Sequence, residues 1–220
     1  MIDVVSVANM RESDSYAVSH LVPAKELMRR AAQGIFRCGA PWAGKTTVFT
    51  GSGNNGGDGY ALAWILRSYH FDVTVVSVSD HVSETSGIFR DLCEKSGVSI
   101  TYFPEDLSSD TIVDCLLGTG SGGAPRTPYC EAISAINSSG ARIISADINS
   151  GMNGDTGEYE LCVRSDLTVA IGYLKSGLIM PEAKAAVGSL AVADIGIPLL
   201  KKEREIDEES LGIRVISSLD

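Results

Sequence analysis

The sequence predicts a Rossmann-like three-layer α/β/α sandwich with a mostly parallel central sheet. Short runs rich in Val, Ile and Thr alternate along the chain with amphipathic helical patterns. Most of these runs are continuously apolar, which is typical of strands buried on both faces of a parallel sheet. In addition, 12 of the 23 glycines lie in three short segments, each of which follows a predicted strand. This alternation indicates a doubly wound architecture.

The predicted elements follow one another without an internal repeat. Two extra N-terminal helices come first, at 9–19 and 23–37, and the second opens on Pro23, a residue favoured at helix starts. Strands are predicted at 46–50, 73–78, 111–117, 141–146, 167–171 and 190–194. Apolar residues at helical spacing fill three of the intervals, at 62–69, 88–93 and 129–136.

The domain organisation follows from length and composition. The chain has 220 residues, enough for one domain with a full core. We expect this domain to span residues 1–200. The segment 201–220 is rich in charge and is predicted to be a charged C-terminal tail, a solvated helix or the start of a connector.

Charge and cysteine content exclude several function classes. The chain carries 18 Lys and Arg against 28 Asp and Glu, a net charge of −10, which argues against binding to nucleic acids or membrane surfaces. It contains no apolar run long enough for a membrane span, and its start does not have the pattern of a signal peptide. The five cysteines show no C-x-x-C spacing, which fits a reducing, cytoplasmic location.

The glycine-rich segments 51–59, 118–123 and 151–157 predict one binding crevice. Glycine is favoured where the backbone takes positive φ or approaches a ligand closely. In open α/β sheets, ligands bind outside the carboxyl ends of the strands, and all three segments belong to that edge.

The first of these segments contains G-x-G-x-x-G between a strand and a helix, and Asp80 lies about where a ribose-binding acid would. An NAD-dependent dehydrogenase is therefore an open alternative. However, Asn54, Asn55 and Asp58 place polar side chains in the turn. The Asp58 carboxylate would repel a pyrophosphate at the helix start unless amides or a cation held it.

Two acidic residues belong to the other loops. Asp114 lies in the apolar run 112–117, where a charge costs several kcal/mol unless it is paired, hydrogen-bonded or bound to a cation. A cation and capping of loop amides both remain open for Asp114. Asp147 follows a strand at the same edge, where it either caps a loop or serves as a general acid and base.

The run Gly-Asn-Asn-Gly-Gly-Asp-Gly at 53–59 resembles the signature loop of the NAD(P)H-hydrate epimerases, the YjeF N-terminal domain family. Further motifs match in order along the chain. They lie at 9–14, 27–28, 114, 118–120, 147–148, 150–151, 154–157, 175–178 and 192–198. The resemblance therefore covers roughly residues 9–198.

This resemblance implies an isomerase that interconverts the R and S epimers of NADHX and NADPHX, the hydrated forms of the reduced nicotinamide cofactors, in metabolite repair. It also implies a bound potassium ion, K+, with ligands from Asn55, Asp114 and Ser150. The implied substrate-binding residues are Asn54, Asn55, Gly56, Gly57, Asp58, Gly118, Thr119, Gly120, Ser121, Gly122, Gly123, Ala124 and Asp147.

Asp147 and Lys175 are the candidate catalytic residues. We expect Asp147 to exchange a proton with the hydroxyl at C6, and Lys175 to transfer a proton or contact phosphate. Two positions depart from the family pattern. Asn149 stands where the family usually has proline, which we expect to loosen the backbone while keeping Ser150, and 121–124 is unusually rich in glycine.

The resemblance also implies partners. We expect a homodimer. We also expect a separate or fused ADP- or ATP-dependent NAD(P)HX dehydratase as a partner, because residues 211–216 resemble the start of the connector to such a domain. The alternative is a non-catalytic, nucleotide-binding adaptor module of the same fold. The presence of Asn55, Asp114 and Asp147 argues against an adaptor.

Overall fold

An eight-stranded parallel sheet forms the centre of the computed structural model, which describes residues 1–102, 107–120 and 123–219. The strands of the chain are β1 (Ile2–Val5), β2 (Lys45–Thr50), β3 (Asp72–Ser77), β4 (Ser99–Thr101), β5 (Thr111–Cys115), β6 (Arg142–Ala146), β7 (Leu167–Ile171), β8 (Leu174–Lys175), β9 (Ser189–Asp194), β10 (Arg204–Ile206) and β11 (Arg214–Ser217). The order in the large sheet is β11-β9-β7-β6-β5-β2-β3-β4. The predicted Rossmann-like fold is confirmed.

Helices cover both faces of this sheet. They are α1 (Val7–His20), α2 (Ala24–Gly39), α3 (Asn54–Ser68), α4 (Glu84–Lys95) and α5 (Tyr129–Ser138), with three short 3-10 turns at Ser176–Ile179, Pro181–Ala185 and Glu209–Leu211. The apolar residues of α2, α3 and α4 form one core cluster with one face of the sheet. Those of α5 pack against Phe49, Val76 and Ile112 on the other. The two predicted N-terminal helices are confirmed as α1 and α2.

The strand order reverses between β2 and β5. From β2 the chain adds β3 and β4 on one side, and from β5 it adds β6, β7, β9 and β11 on the other. Loops that leave neighbouring strands in opposite directions open a crevice at such a switch point, which is where open α/β sheets bind ligands. The first two glycine-rich segments follow β2 and β5 and therefore flank this crevice.

A second, three-stranded sheet joins the two ends of the chain. In it β1 pairs antiparallel with β10 and parallel with β8, and Val5 is opposite Lys175. The prediction of a solvated helix for the charged segment was wrong. Instead, β10 borders this small sheet and β11 pairs with β9 at the edge of the large one, where Ile213 is buried.

The short strands escaped prediction because they carry little local signal. β4 and β10 have three residues each, of which two are polar or charged and one is isoleucine, and β8 has only two residues. Their pairing depends on distant segments of the chain. In the described part of the chain, no helix combines the length and apolarity that a membrane crossing requires.

Candidate functional site

A cleft of about 730 Å³ opens at the carboxyl ends of β2, β5 and β6. Its floor consists of the loops that follow these strands. Its wall comes from α1 and α2, whose contribution includes the apolar residues Met10, Val18, Leu27, Met28 and Ala31. The cleft therefore combines apolar side chains with polar and charged groups, as expected of a site for a small molecule with an apolar ring and polar groups.

The loop after β2 leads into the cleft at the start of α3. Asn54, Asn55 and Asp58 line it, and the amino end of a helix favours anionic groups. Gly56 and Gly57 belong to the same loop and helix start, but they face packed neighbours and not the cleft. A Cβ on Gly56 would lie 2.0 Å from the Gly51 carbonyl oxygen, and one on Gly57 would lie 2.4 Å from Met28 Cε. These two glycines allow α3 to pack closely.

The loop after β5 contributes only part of the residues predicted from the sequence. Gly118, Thr119 and Gly120 line the cleft, and the Arg11 guanidinium of α1 donates a hydrogen bond to the Thr119 carbonyl oxygen. Gly123 and Ala124 border a separate cavity of about 510 Å³, together with Glu158, Tyr159 and Glu160. Ser121 and Gly122 lie outside the described residues.

Asp114 is fully buried on β5 and accepts four hydrogen bonds. Its Oδ1 accepts from the Leu116 amide at 3.2 Å and from Ser150 Oγ at 2.5 Å. Its Oδ2 accepts from Ser145 Oγ and the Ser150 amide, both at 2.9 Å. Burial raises the pKa of the carboxyl group, and the hydrogen bonds from Ser150 oppose that shift. Asp114 therefore ties the β5 and β6 loops together.

Asn55 and Ser150 meet at the Leu117 carbonyl oxygen. Asn55 Nδ2 donates to this oxygen at 3.0 Å and to the Ala146 carbonyl oxygen at 3.2 Å, and Ser150 Oγ lies 3.1 Å from the same Leu117 oxygen. Asn55 Oδ1 is buried without a hydrogen-bond partner among the described residues. This corner thus brings together amide, hydroxyl and carbonyl oxygens around a buried carboxylate.

Such a donor set fits a weakly hydrated monovalent cation. Potassium is bound in proteins by carbonyl and similar oxygens that replace its water shell. The family resemblance implies Asn55, Asp114 and Ser150 as ligands of the ion. Ser150 Oγ lies within hydrogen-bonding distance of both Asp114 and the Leu117 carbonyl oxygen, and Asn55 donates to that same oxygen. No cluster of three or more His, Cys, Asp or Glu suited to a metal ion occurs among the described residues.

Asp147 and Lys175 form an ion pair at the cleft. Lys175 is 1% exposed and also donates to the Ile171 carbonyl oxygen at 2.6 Å, whereas the Asp147 side chain is 15% exposed. Asp147 has φ of +69°, in the left-handed region that costs a non-glycine residue about 1–3 kcal/mol. Strain of this kind concentrates at functional sites, and here it directs a carboxylate toward the cleft.

Two further carboxyl groups line the cleft near this pair. Burial raises the pKa of Asp14 to about 6, with Lys175 lowering it and Asp147 raising it. Burial raises the pKa of Asp58 well above its usual range, and the negative charges of Asp147 and Asp14 act in the same direction. Asp14 was not predicted as a site residue. The available signal was its position in the 9–14 motif on α1.

Asn149 is fully buried beside Ser150. Its Nδ2 donates to the Val163 carbonyl oxygen at 3.0 Å, to Ser165 Oγ at 2.8 Å and to the Ala186 carbonyl oxygen at 2.9 Å. Its Oδ1 accepts from Thr168 Oγ1 at 2.9 Å. The side chain anchors the turn by hydrogen bonds, which the sequence did not predict.

Comparison with known proteins agrees with this geometry. The family model described as "YjeF-related protein N-terminus" matches residues 24–177, which include the α3 loop, Asp114, Asp147 and Lys175. The chain belongs to the YjeF N-terminal family. The "NAD(P)H-hydrate epimerase" of Limosilactobacillus fermentum is 31% identical over 198 residues, a match that covers 86% of this chain and 95% of that protein.

Other relatives of this YjeF N-terminal chain are longer. The "Bifunctional NAD(P)H-hydrate repair enzyme Nnr" of Archaeoglobus fulgidus is 39% identical over 158 residues, covering 71% of the chain but 33% of the relative. The chain therefore spans about a third of that protein. Among solved structures, yeast ynu0 has a TM-score of 0.72 at 20% identity, covering 80% of this chain and 83% of the yeast chain. That likeness supports the fold.

Proposed function

We propose that this chain is an NAD(P)H-hydrate epimerase, an isomerase that interconverts the R and S epimers of NADHX and NADPHX in nicotinamide-cofactor repair. The observation that carries the proposal is the Asp147–Lys175 pair in the cleft at the switch point of the sheet. It is supported by the Limosilactobacillus relative named for this activity, of which the chain covers 95%.

The reaction requires the hydroxyl at C6 of the hydrated ring to leave one face and return to the other. C6 also bonds the ring nitrogen, whose lone pair forms a C6=N bond as the hydroxyl departs with a proton as water. Asp147 is placed to exchange that proton, because its carboxylate reaches the cleft while Lys175 holds it in position. Water then adds to the planar carbon and restores the nitrogen lone pair.

A potassium ion is the second part of the proposal. Asn55, Asp114 and Ser150 would hold it, supported by the buried Asn55 Oδ1 and the adjacent Leu117 carbonyl oxygen. When bound, the ion supplies positive charge beside the start of α3, which favours the phosphates of a dinucleotide in a chain of net charge −10.

The longer relatives, which are named as bifunctional repair enzymes, support a proposal about a partner enzyme. The bifunctional repair enzyme of Coxiella burnetii is 36% identical over 196 residues, and this chain spans 40% of it. We propose that an ADP- or ATP-dependent dehydratase, fused or separate, consumes the S epimer that this chain supplies. We further propose a cytoplasmic homodimer. The cytoplasmic location is supported by the five free cysteines.

The test supplies NADHX enriched in the R epimer, without ATP, and follows the R/S ratio by chromatography. The wild-type chain should accelerate equilibration. Asp147→Asn should abolish the acceleration, while Asp91→Asn, the same change on the exposed face of α4, should leave it intact. No acceleration with potassium present would favour a non-catalytic adaptor. Consumption of NADH with an added carbonyl compound would favour a dehydrogenase.

A further inference from the structure

Asp14 lies on α1, in the wall that faces the floor of the cleft. It is half-buried, one helical turn after Met10 and Arg11, and all three residues line the cleft. Asp147 approaches the same cleft from the opposite side, at the carboxyl end of β6. The two carboxyl groups therefore border one space from two different structural layers.

The groups that face Asp14 come from several elements. Asp147 follows β6, Lys175 belongs to β8, and Asp58 belongs to α3; on its own helix Arg11 lies three residues earlier. The α2 part of the wall is apolar, with Leu27 and Met28 among its residues.

The two carboxyl groups have different charged partners. The Lys175 ammonium forms its ion pair with Asp147, not with Asp14. Burial raises the pKa of Asp14 to about 6, so Asp14 keeps its proton to a higher pH than an ordinary aspartate does. Two carboxyl groups in different environments within one site are the usual basis for an acid and a base.

We infer that Asp14 is a second catalytic residue, which exchanges a proton with the substrate on the ring face opposite to the face that Asp147 serves. This inference rests on the proposed epimerase function. Epimerisation at C6 needs a hydroxyl group to leave one face and a water molecule to enter the other. A single carboxylate on one side reaches only one of these oxygens directly, whereas groups from the wall and the floor reach both.

In one direction of the reaction, proton transfer begins at Asp14. The Asp14 carboxyl group donates its proton to the C6 hydroxyl, the C–O bond breaks, water leaves, and the nitrogen lone pair forms the C6=N bond. Water attacks C6 from the other face, its oxygen bonds to carbon, and the electron pair returns to nitrogen. Its proton goes to the Asp147 carboxylate. The opposite direction uses the two groups in exchanged roles.

The experiment measures two quantities in water enriched in ¹⁸O. The first is R/S interconversion, followed by chromatography; the second is incorporation of ¹⁸O into each separated epimer, followed by mass spectrometry. Asp14→Asn should lower interconversion about 100-fold, the usual size of a general acid–base contribution. It should still exchange the hydroxyl oxygen of the one epimer that faces Asp147, with retained configuration. Asp147→Asn should show exchange in the other epimer.

The pH profile gives an independent readout. Wild-type kcat/KM should fall as pH rises through about 6, because Asp14 loses its proton. Asp14→Asn should lack this fall, and Asp14→Glu, which restores a carboxyl group, should recover it together with part of the rate. Asp91→Asn serves as the control for an Asp-to-Asn change on an exposed helix.

The outcomes separate the two proposals. Interconversion by Asp14→Asn within threefold of wild type would overturn the role of Asp14. So would equal losses of interconversion and of oxygen exchange in both epimers, since that is the result of a merely structural residue. A wild-type chain that fails to accelerate equilibration would overturn the epimerase function itself.

Discussion

Asp114 and Asp147 belong to neighbouring strand ends but occupy opposite kinds of environment. Asp114 is fully buried and accepts four hydrogen bonds from the loops around it. Asp147 is partly exposed in the cleft and has a left-handed backbone. A carboxylate that accepts four hydrogen bonds from the surrounding loops holds structure together. One that keeps an accessible oxygen beside a cleft is available for proton transfer.

The largest expected effect is on stability, at Asp114. Asp114→Ala leaves the buried amides of Leu116 and Ser150 without their acceptor, at about 1–3 kcal/mol for each unsatisfied group. The hydroxyl groups of Ser145 and Ser150 keep only their second partners, Ser165 Oγ and the Leu117 carbonyl oxygen. We expect the free energy of unfolding to fall by about 4 kcal/mol in urea denaturation, and by less in Asp114→Asn, which keeps one acceptor. A loss below about 1 kcal/mol in the alanine variant would show that Asp114 does not have the structural role that sets it apart from Asp147.

Lys175→Met should produce the next largest effect, this time on catalysis. Methionine retains an apolar chain of similar length but cannot hold the Asp147 carboxylate in place. We expect kcat for R/S equilibration to fall about 100-fold, equivalent to about 2.7 kcal/mol. Lys95→Met, at the exposed end of α4, is the control. Activity within threefold of wild type would mean that Asp147 works without its partner.

Asp14→Asn should stabilise the protein at alkaline pH. The folded-state pKa of about 6 lies above the reference value of 3.8, so the folded chain binds this proton more tightly. The resulting stabilisation is fully present below about pH 3.8 and is lost as pH rises through about 6.

The shift alone corresponds to about 3 kcal/mol at pH 8. Because Asp14 is partly exposed and solvent screens its charge, we expect the asparagine variant to gain about 2 kcal/mol over wild type at pH 8, with the gain shrinking as pH falls toward 4.5. Urea denaturation at several pH values measures this difference. A pH-independent difference would show that ionisation of Asp14 does not oppose folding.

The smallest expected effect is stabilisation by potassium. A ligand at about ten times its Kd stabilises the folded state by about 1.4 kcal/mol, which for a chain of this size raises Tm by a few degrees. Thermal unfolding in potassium chloride and in choline chloride measures the shift. Ser150→Ala should abolish it, while Ser134→Ala, which removes a hydroxyl from the exposed face of α5, should not. Equal Tm values in both salts would contradict the ion site.

Local sequence signals predicted the elements of the sheet at the switch point well. β2, β5 and β6 precede the glycine-rich loops. These strands are longer than β4, β8 and β10 and are rich in apolar and β-branched residues, so they could be placed from sequence. The position of Lys175 at the cleft could not. It depends on β8 pairing with β1, more than 160 residues earlier, and β1 is in turn bordered by β10.

The cleft residues also divide into those that local sequence predicts and those whose place depends on packing between distant segments. Asn54, Asn55 and Asp58 could be predicted because they lie in a loop whose position in the sheet fixes where it opens. Gly56 and Gly57 share that loop, yet they face the packing side of α3, and sequence spacing alone does not distinguish the two. Asp14 escaped prediction because a carboxyl group on a helix is ordinarily solvated. Only the docking of α1 over the cleft gives it a different environment.

The hydrogen bonds of Asn149 make this position intolerant of proline. A proline there would remove donors to Val163, Ser165 and Ala186 and the acceptor for Thr168, and all of these residues except Ser165 are buried. Those four groups belong to three segments of the chain, so no single second substitution restores them. Asn149 therefore acts as a junction: through one side chain it couples the loop after β6 to β7 and to the turn that precedes β9, so a change at this position would disturb all of them together.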